Sequence, residues 1–318
     1  MFGLAFLIVT CVVGAGFATG AELLAFFGRV ALPPVVIAAW VAVLFFAMIV
    51  VIVFSEAAIR NKAAKRGVDL LFAAVYFVFF VAMTAGVAQI LGRWAAAVSL
   101  LFCVSVVCFG YDKMVAVNKY LTLFIVGFLV VVCVANLGDG GAGRGFAGGG
   151  GLLRGVGMAA LYSAMNCCML VAVVAKAREK QTRSTILWAA AFASCVVFLL
   201  VVLVLTAIGG HFMEAMPILA VSSNVLTTVT ILAAIVTSQY VALFNVAELL
   251  TGINKTTPPC AFPKIVRLGA ICAAAFVVSL FGFTKILGVF YPAVGGAMLV
   301  YLGWGLVTLC RAKIRARL

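Results

Sequence analysis

Long apolar segments recur along the entire chain, with only short polar connections between them. A helix that crosses a membrane needs about 20 predominantly apolar residues. Because 67% of the residues are hydrophobic and 9% are charged, the composition excludes an ordinary soluble domain. The sequence therefore predicts an all-α polytopic membrane protein with ten transmembrane helices. The ten segments lie roughly at 2–27, 32–57, 68–91, 94–111, 116–137, 152–174, 185–208, 225–252, 265–283 and 286–310.

The basic residues are divided unevenly between the loops on the two sides of the predicted membrane. Of the 22 Lys and Arg residues, 17 fall on the side that also holds both termini, and five fall on the other side. Short cytoplasmic loops carry such an excess of positive charge. We therefore predict a multi-pass protein of the cell inner (plasma) membrane with both termini in the cytoplasm. The net charge of +14 then reflects topology, so the expected partners are the lipid bilayer and a small-molecule substrate, not nucleic acid.

The ten segments divide into two halves of five. The first half covers residues 1–137 and the second covers 152–310, with a Gly-rich extracytoplasmic connector at 138–151 and a basic cytoplasmic tail at 311–318. Because five is odd, the second half crosses the membrane in the opposite direction to the first. This division predicts a 5+5 inverted repeat, an arrangement found in many secondary transporters.

The first apolar segment is interrupted at its centre by Gly14, Gly16 and Gly20, together with Thr19 and Glu22. A glycine in a helix interior costs about 0.5–1 kcal/mol relative to alanine, so a continuous helix is not expected here. Bare backbone at membrane depth persists only where protein or a wet cavity covers it. The alternative is a continuous helix whose glycines pack closely against neighbouring helices. We predict a break, because a threonine and a carboxylate do not suit a dry packing seam.

The matching segment of the second half, residues 155–166, also combines glycines with a tyrosine, a serine and an asparagine. An inverted repeat places corresponding breaks in the two halves. The sequence therefore predicts that helices 1 and 6 are both broken at the midplane of the membrane.

The eighth apolar segment presents oxygen atoms at the same predicted depth. Residues three and four apart share one face of a helix, so Ala234, Thr237 and Ser238 direct a carbonyl and two hydroxyls to one place. Counting along the segments puts Thr237 and Gly14 near the midplane. A small hard cation takes about five or six oxygen ligands, and carbonyls freed at the first break would supply the remainder. The alternative is that both hydroxyls bond back to carbonyls of their own helix.

The run Val-Gly-Ala-Gly at 13–16, with the pattern Ala-x-x-Thr-Ser at 234–238, resembles the shared sodium site of LeuT-type transporters in the amino acid–polyamine–organocation superfamily. The runs at 14–22 and 291–295 are similar to motifs of the YkvI-type bacterial membrane proteins. The resemblance implies a LeuT-like fold across nearly the whole chain. It also implies one bound sodium ion, the only cofactor expected, held by Thr10, Val13, Ala234, Thr237 and Ser238. Phe17 stands where related transporters carry an asparagine, so a second sodium ion is not expected.

A substrate would lie between the two predicted breaks. Free N–H groups and the positive end of a helix dipole near 16–20 suit a carboxylate, which favours an amino acid or a similar small organic solute. Glu22 either faces this central site, where it binds a substrate amine or acts as a gate, or reaches the outer interface near Arg29. The residues predicted to contact substrate are Gly14, Gly16, Phe17, Ala18, Thr19, Gly20, Glu22, Tyr162 and Asn166.

These features together predict a secondary active transporter that couples sodium entry to solute uptake by alternating access. A proton-coupled transporter of the same fold and a non-transporting membrane receptor or sensor remain alternatives. No HExxH motif, Ser-His-Asp set or cofactor motif appears in the sequence, so we expect no enzymatic activity. The ten cysteines lie mostly within apolar segments and form no CxxC pair, which argues against a disulfide framework or a soft-metal site.

Overall fold

The computed structural model describes residues 2–55, 62–109, 111–137, 151–209, 214–253 and 261–315. Within these ranges the chain forms helices and no β-strand. The helices are α1 (Phe2–Val12), α2 (Ala15–Ala18), α3 (Ala21–Phe27), α4 (Pro34–Ser55), α5 (Lys62–Leu91), α6 (Arg93–Cys108), α7 (Tyr111–Ala135), α8 (Leu152–Lys180), α9 (Arg183–Ala207), α10 (Pro217–Val221), α11 (Val225–Ile253), α12 (Ala261–Ser279) and α13 (Phe283–Arg315).

Every one of the ten apolar segments is helical. The first corresponds to α1, α2 and α3 together, and nine long helices account for the others, while α10 is a short helix between α9 and α11. Within the described ranges, five helices are long and apolar enough to cross a membrane: Pro34–Ser55, Arg66–Leu91, Arg183–Ala207, Val225–Leu250 and Phe283–Arg311. Shorter apolar helices lie at Gly3–Val12, Arg93–Cys108, Tyr120–Ala135 and Ile265–Ser279. The chain is thus a multi-pass helical membrane protein, and the count of ten spans remains a prediction.

Large apolar side chains cover much of the outer surface of the helices. Trp94 and Leu153 are each 88% exposed, and Val225 is 80% exposed. A soluble protein rarely exposes wide contiguous apolar surface. Exposure of this kind is what the hydrocarbon core of a bilayer accommodates.

Two groups of helices form the interior. In one group α4 packs against α8 and α9, and α1 packs against the same two helices. In the other, α11 packs against α5 and α6, and α12 joins α5 and α6. Buried hydrogen bonds tie helices together within each group: the Ser163 hydroxyl of α8 donates to the Val41 carbonyl of α4 at 3.1 Å, and Gln239 Nε2 of α11 donates to Thr84 Oγ1 of α5 at 3.0 Å. Polar residues therefore act as links between helices where apolar surfaces alone give little specificity.

The predicted break in the first segment is confirmed. α1 ends at Val12, and only the short helix α2 separates it from α3. The N–H of Gly14 donates to the Val12 carbonyl at 2.8 Å, so the regular helical pattern is lost at this point. Gly20 has φ 75°, a left-handed conformation that glycine adopts without steric cost, and this residue turns the chain into α3.

The predicted break in helix 6 is wrong. The corresponding helix, α8, is continuous from Leu152 to Lys180. Among the described residues only Gly20, Gly92 and Gly282 have positive φ, so no glycine of α8 turns the chain. A Cβ on Gly155 would contact the Leu32 side chain, which shows that close packing explains this glycine. Ser163 and Asn166 at the centre of α8 have hydrogen-bond partners without a break: the Ser163 hydroxyl donates to Val41, and Asn166 Nδ2 donates to the Tyr162 carbonyl at 3.0 Å.

The ends of the predicted halves are only partly described. Residues 138–150 of the predicted connector lie outside the described residues, and α8 begins directly after Gly151. At the carboxyl end α13 continues through Arg315, so residues 311–315 of the predicted basic tail form the last turn of this helix, and 316–318 lie outside the described residues.

Candidate ion and substrate site

The interruption between α1 and α2 lies against the middle of α11. A Cβ placed on Gly14 would be in van der Waals contact with Ser238 Oγ, at 3.5 Å, so the two residues are near neighbours that face each other. The sequence predicted that the interruption and the middle of α11 lie at the same depth in the membrane. The packing of α2 against α11 places them side by side. Any side chain at position 14 would stand between the interruption and the hydroxyl of Ser238.

The break also leaves backbone oxygen atoms without their usual donors. In a continuous helix the N–H of Gly14 would donate to the carbonyl of Thr10, but here it donates to Val12. Across the described residues of the interruption, no backbone N–H donates to the carbonyls of Thr10 or Val13. Val13 is buried and Thr10 is half-buried, and the Thr10 hydroxyl donates to Phe6 at 2.8 Å. Buried carbonyls without donors are costly unless another partner satisfies them.

The α11 side of the site contributes neutral oxygen atoms. Ala234 and Thr237 are buried, and Ser238 is half-buried. The Thr237 hydroxyl donates to the Ala234 carbonyl at 2.9 Å, as the alternative interpretation of this threonine expected. A hydroxyl oxygen that donates in this way keeps lone pairs that can still accept or coordinate. The back-bond therefore orients Thr237 Oγ1 without removing its capacity to bind a cation.

Thr19 and α10 stabilise the irregular backbone that follows α2. Thr19 Oγ1 donates to the Gly16 carbonyl at 3.0 Å and accepts from the Ala21 N–H at 3.3 Å. The Thr19 carbonyl accepts from the Ile218 N–H of α10 at 3.1 Å. Protein therefore covers this part of the broken helix, as the absence of water in a bilayer requires.

The predicted substrate residues around α2 and α8 are all buried except Gly14, which is half-buried. Several N–H groups that were expected to receive a substrate carboxylate already have acceptors. The Ala18 N–H donates to Gly14 at 2.9 Å, and the Gly20 N–H donates to Phe17 at 3.0 Å. Fewer free donors remain at 16–20 than the sequence predicted. The buried members are Gly16, Phe17, Ala18, Thr19, Gly20, Glu22, Tyr162 and Asn166.

Glu22 is enclosed by protein. It lies in the first turn of α3, its side chain is 4% exposed, and its Oε2 atom has no hydrogen-bond partner among the described residues. The side chain folds back over Gly16 and occupies the place where a Cβ on that glycine would lie. Glu22 therefore faces the protein interior, and it does not reach the outer interface near Arg29.

Gly16 and Glu22 are consequently coupled through space. Replacing Gly16 by alanine is expected to destabilise the protein by about 1–3 kcal/mol, because the new Cβ displaces the Glu22 side chain. In a Glu22→Ala background the same substitution is expected to cost much less, giving a coupling free energy of at least about 1 kcal/mol. Thermal unfolding of the wild type, both single variants and the double variant in detergent measures this coupling. Additive effects would contradict the contact.

Tyr291 of α13 was not predicted as a site residue. Its side chain is fully buried, its hydroxyl has no hydrogen-bond partner among the described residues, and it interacts electrostatically with Glu22. Tyr162 of α8 is also fully buried and interacts electrostatically with Glu22, and the Asn166 side chain lies beside its hydroxyl. The sequence held two signals for it: a tyrosine at the centre of an apolar segment next to Pro292, and its place at the start of the 291–295 run that resembles a family motif.

A small apolar cleft lies beside the interruption. Ala18 of α2 and Ile218 of α10 line it, together with Thr227 and Thr230 of α11 and apolar side chains of α7 such as Phe128. The cleft is on the N-terminal half of α11, the half that the predicted topology places toward the outer surface. It thus lies next to the broken helix on the predicted outer side.

No protein-family model and no curated protein sequence matches this chain. The crystal structure of the Eremococcus coleocola manganese transporter in complex with an aromatic bis-isothiourea substituted compound has a similar fold, with a TM-score of 0.56 at 14% identity over 96% of this chain and 77% of that one. A variant of that transporter with a histidine replaced by alanine gives a TM-score of 0.55 at 13% identity over 96% and 77%. A variant with a glutamate replaced by glutamine gives 0.54 at 13% identity over the same shares. At this low identity the likeness establishes the fold alone: this chain is a multi-pass helical membrane protein that shares its architecture with a solved transporter.

Proposed function

We propose that this protein is a secondary active transporter that couples sodium entry to the uptake of a small organic solute carrying an amino group, such as an amino acid. The observation that carries the proposal is the pairing of donor-free carbonyls of Thr10 and Val13 with the α11 face that holds Ser238 beside Gly14. Neutral oxygen atoms of this kind suit a small hard monovalent cation. Ala234 and Thr237 would complete the ligand set.

The packing of the helices supports an alternating-access mechanism. α1, α4, α8 and α9 pack mainly on one another, and α5, α6, α11 and α12 form a second such group. A sodium ion between the broken helix and α11 would join the two groups and favour one of their relative positions. A ligand shifts a conformational equilibrium only through its different affinity for the two states. We propose that this movement takes place in a ten-helix, LeuT-like 5+5 fold in which only the first helix is broken.

A second candidate is the transport of a divalent cation, because the structures with a similar fold are those of a manganese transporter. The residues around the interruption favour the first candidate. No group of three or more His, Cys, Asp or Glu side chains that could hold a metal ion occurs in the described part of the chain. A transported Mn²⁺ ion would therefore rely on one carboxylate, Glu22, and on neutral oxygen atoms.

Uptake into proteoliposomes distinguishes these functions. We expect an inward sodium gradient to raise the accumulation of at least one radiolabelled amino acid or amine above the level reached with a potassium gradient. Accumulation driven by a proton gradient without sodium would select the proton-coupled alternative, and quenching of an enclosed dye by Mn²⁺ would select divalent-cation transport. Thermal stabilisation by a solute without any uptake would identify a receptor, which contradicts the proposal.

A further inference from the structure

Three oxygen atoms with few or no hydrogen-bond partners are buried in the interior that α3, α8 and α13 share. Glu22 Oε2 and the Tyr291 hydroxyl have no partner among the described residues, and the Tyr162 hydroxyl has only the Asn166 side chain beside it. Glu22 interacts electrostatically with both hydroxyls. A buried polar group without a partner is unusual in a folded protein and calls for a missing ligand or a functional role. Two such hydroxyls beside one buried carboxylate indicate a place that a ligand completes.

The backbone holds these oxygen atoms in place. The Glu22 side chain lies against Gly16, so its position depends on the broken helix. Gly295 of α13, one turn after Tyr291, touches the backbone of Leu161, the residue before Tyr162. α13 and α8 are therefore in direct contact at the level of the two tyrosines.

Phenylalanine rings pack against the rings of the two tyrosines. The rings of Phe26 and Phe27 meet the Tyr162 ring edge-on, with centroids 5.4 and 5.5 Å away. The Phe79 ring of α5 meets the Tyr291 ring in the same manner at 5.2 Å. The setting is apolar apart from the three oxygen atoms and the Asn166 side chain, and the electron-rich faces of aromatic rings attract cations.

The charge of this cluster is negative or neutral and has no counterion. No basic side chain of the described residues acts on Glu22. A substrate carboxylate here would be repelled by Glu22, whereas a cation would be attracted. An ammonium group has three N–H donors, which match one carboxylate oxygen and two phenolic oxygens.

We propose that Glu22, Tyr162 and Tyr291 bind the primary ammonium group of the transported solute. The inference rests on the proposed function and narrows its substrates to primary amines and amino acids bound through their amino group. The carboxylate neutralises the charge, each hydroxyl accepts one N–H, and the phenylalanine rings exclude water. Tyr291 is then a substrate-binding residue at the far end of the chain from Glu22.

Binding of n-butylammonium to the purified full-length protein in sodium-free detergent solution tests this proposal by calorimetry. The Glu22→Gln variant is expected to bind at least about tenfold more weakly, since hydrogen bonds to a charged group are worth more than neutral ones. Tyr291→Phe and Tyr162→Phe should each weaken binding about three- to tenfold. n-Butyltrimethylammonium carries the same charge without N–H donors, so it should bind at least about tenfold more weakly to the wild type.

Two matched variants control for general effects. Tyr240→Phe removes another buried hydroxyl that has no hydrogen-bond partner in the described part of the chain, but whose electrostatic neighbour is Cys103. Glu248→Gln neutralises an exposed glutamate of α11. Both should bind n-butylammonium like the wild type. Size-exclusion profiles and melting temperatures verify that the Glu22 and tyrosine variants are folded.

Failure of this inference differs from failure of the proposed function, because the binding measurement uses no sodium and no gradient. Wild-type affinity in folded Glu22→Gln, equal binding of the trimethylated probe, or no binding of n-butylammonium to the wild type would each overturn the ammonium site. Sodium-driven uptake that persists in Glu22→Gln would remove the inference and leave the transport proposal. Glu22-dependent binding in a protein that transports nothing would keep the ammonium site and remove the transport proposal.

Discussion

Replacing Thr237 and Ser238 together by alanine is expected to abolish the sodium dependence of solute uptake. The double variant loses two of the five proposed ligands, and a hydrogen bond or contact to a charged group contributes about 1.5–3 kcal/mol. The apparent affinity for sodium should therefore fall by about 100-fold or more. Initial rates of uptake into proteoliposomes, measured across a series of sodium concentrations, give this value directly.

The control for this variant is Ser194→Ala. Ser194 of α9 is also a buried hydroxyl residue, and it donates to the Ala190 carbonyl at 2.9 Å, much as Thr237 donates to Ala234. Removing a back-bonded hydroxyl from a helix has little effect on stability by itself, so this variant should keep the wild-type response to sodium. If the Thr237 and Ser238 double variant takes up solute with an unchanged sodium response, the proposed ion site is wrong.

The interruption of the first helix was predictable because its causes are local. Three glycines and Thr19 lie within a few residues, and both the left-handed turn at Gly20 and the hydrogen bonds of Thr19 involve near neighbours in the sequence. Counting residues along two helices of known rise placed Gly14 and Thr237 at the same depth, and in the structure Gly14 faces Ser238, the residue next to Thr237. Neither prediction required knowledge of which helices pack together.

The continuity of α8 could not be predicted from the same kind of evidence. Polar residues and glycines at 155–166 indicate a second break only if the two halves are symmetric, and symmetry of topology does not require symmetry of the backbone. Asn166 satisfies its amide within the helix, and the Ser163 hydroxyl bonds to Val41 of another helix. A polar residue in an apolar segment thus indicates that a partner exists, but its type does not reveal whether that partner is a ligand, its own helix or a neighbour.

The surroundings of Glu22 depend entirely on packing between distant parts of the chain. The sequence showed a carboxylate that could face either the interior or the outer interface. Tyr162 and Tyr291 come to it only because α3 packs against α8 and α13. Nothing in the residues around position 291 marks this tyrosine as a partner of Glu22, so the structure was needed to find it.

Two adjacent glycines of α13 provide a test of this packing. A Cβ on Gly295 would clash with the Leu161 carbonyl and would lie 3.0 Å from its carbonyl carbon, whereas a Cβ on Gly296 would meet nothing within 4 Å. The backbone of α8 cannot move aside as a flexible side chain can, so Gly295→Ala should destabilise the protein by about 2–3 kcal/mol through overpacking. Gly296→Ala should stabilise it by about 0.5–1 kcal/mol, since alanine is the better helix former.

Melting temperatures of the two variants in the same detergent measure this difference. The melting temperature of the wild type should lie between those of the two variants. Because the contact at Leu161 lies next to Tyr162, Gly295→Ala should also separate Tyr162 from Tyr291 and weaken n-butylammonium binding, whereas Gly296→Ala should leave it unchanged. Equal melting temperatures for the two variants would show that α13 and α8 do not meet at this glycine. In that case the two tyrosines would no longer be held together near Glu22, and the ammonium site would lose its structural basis.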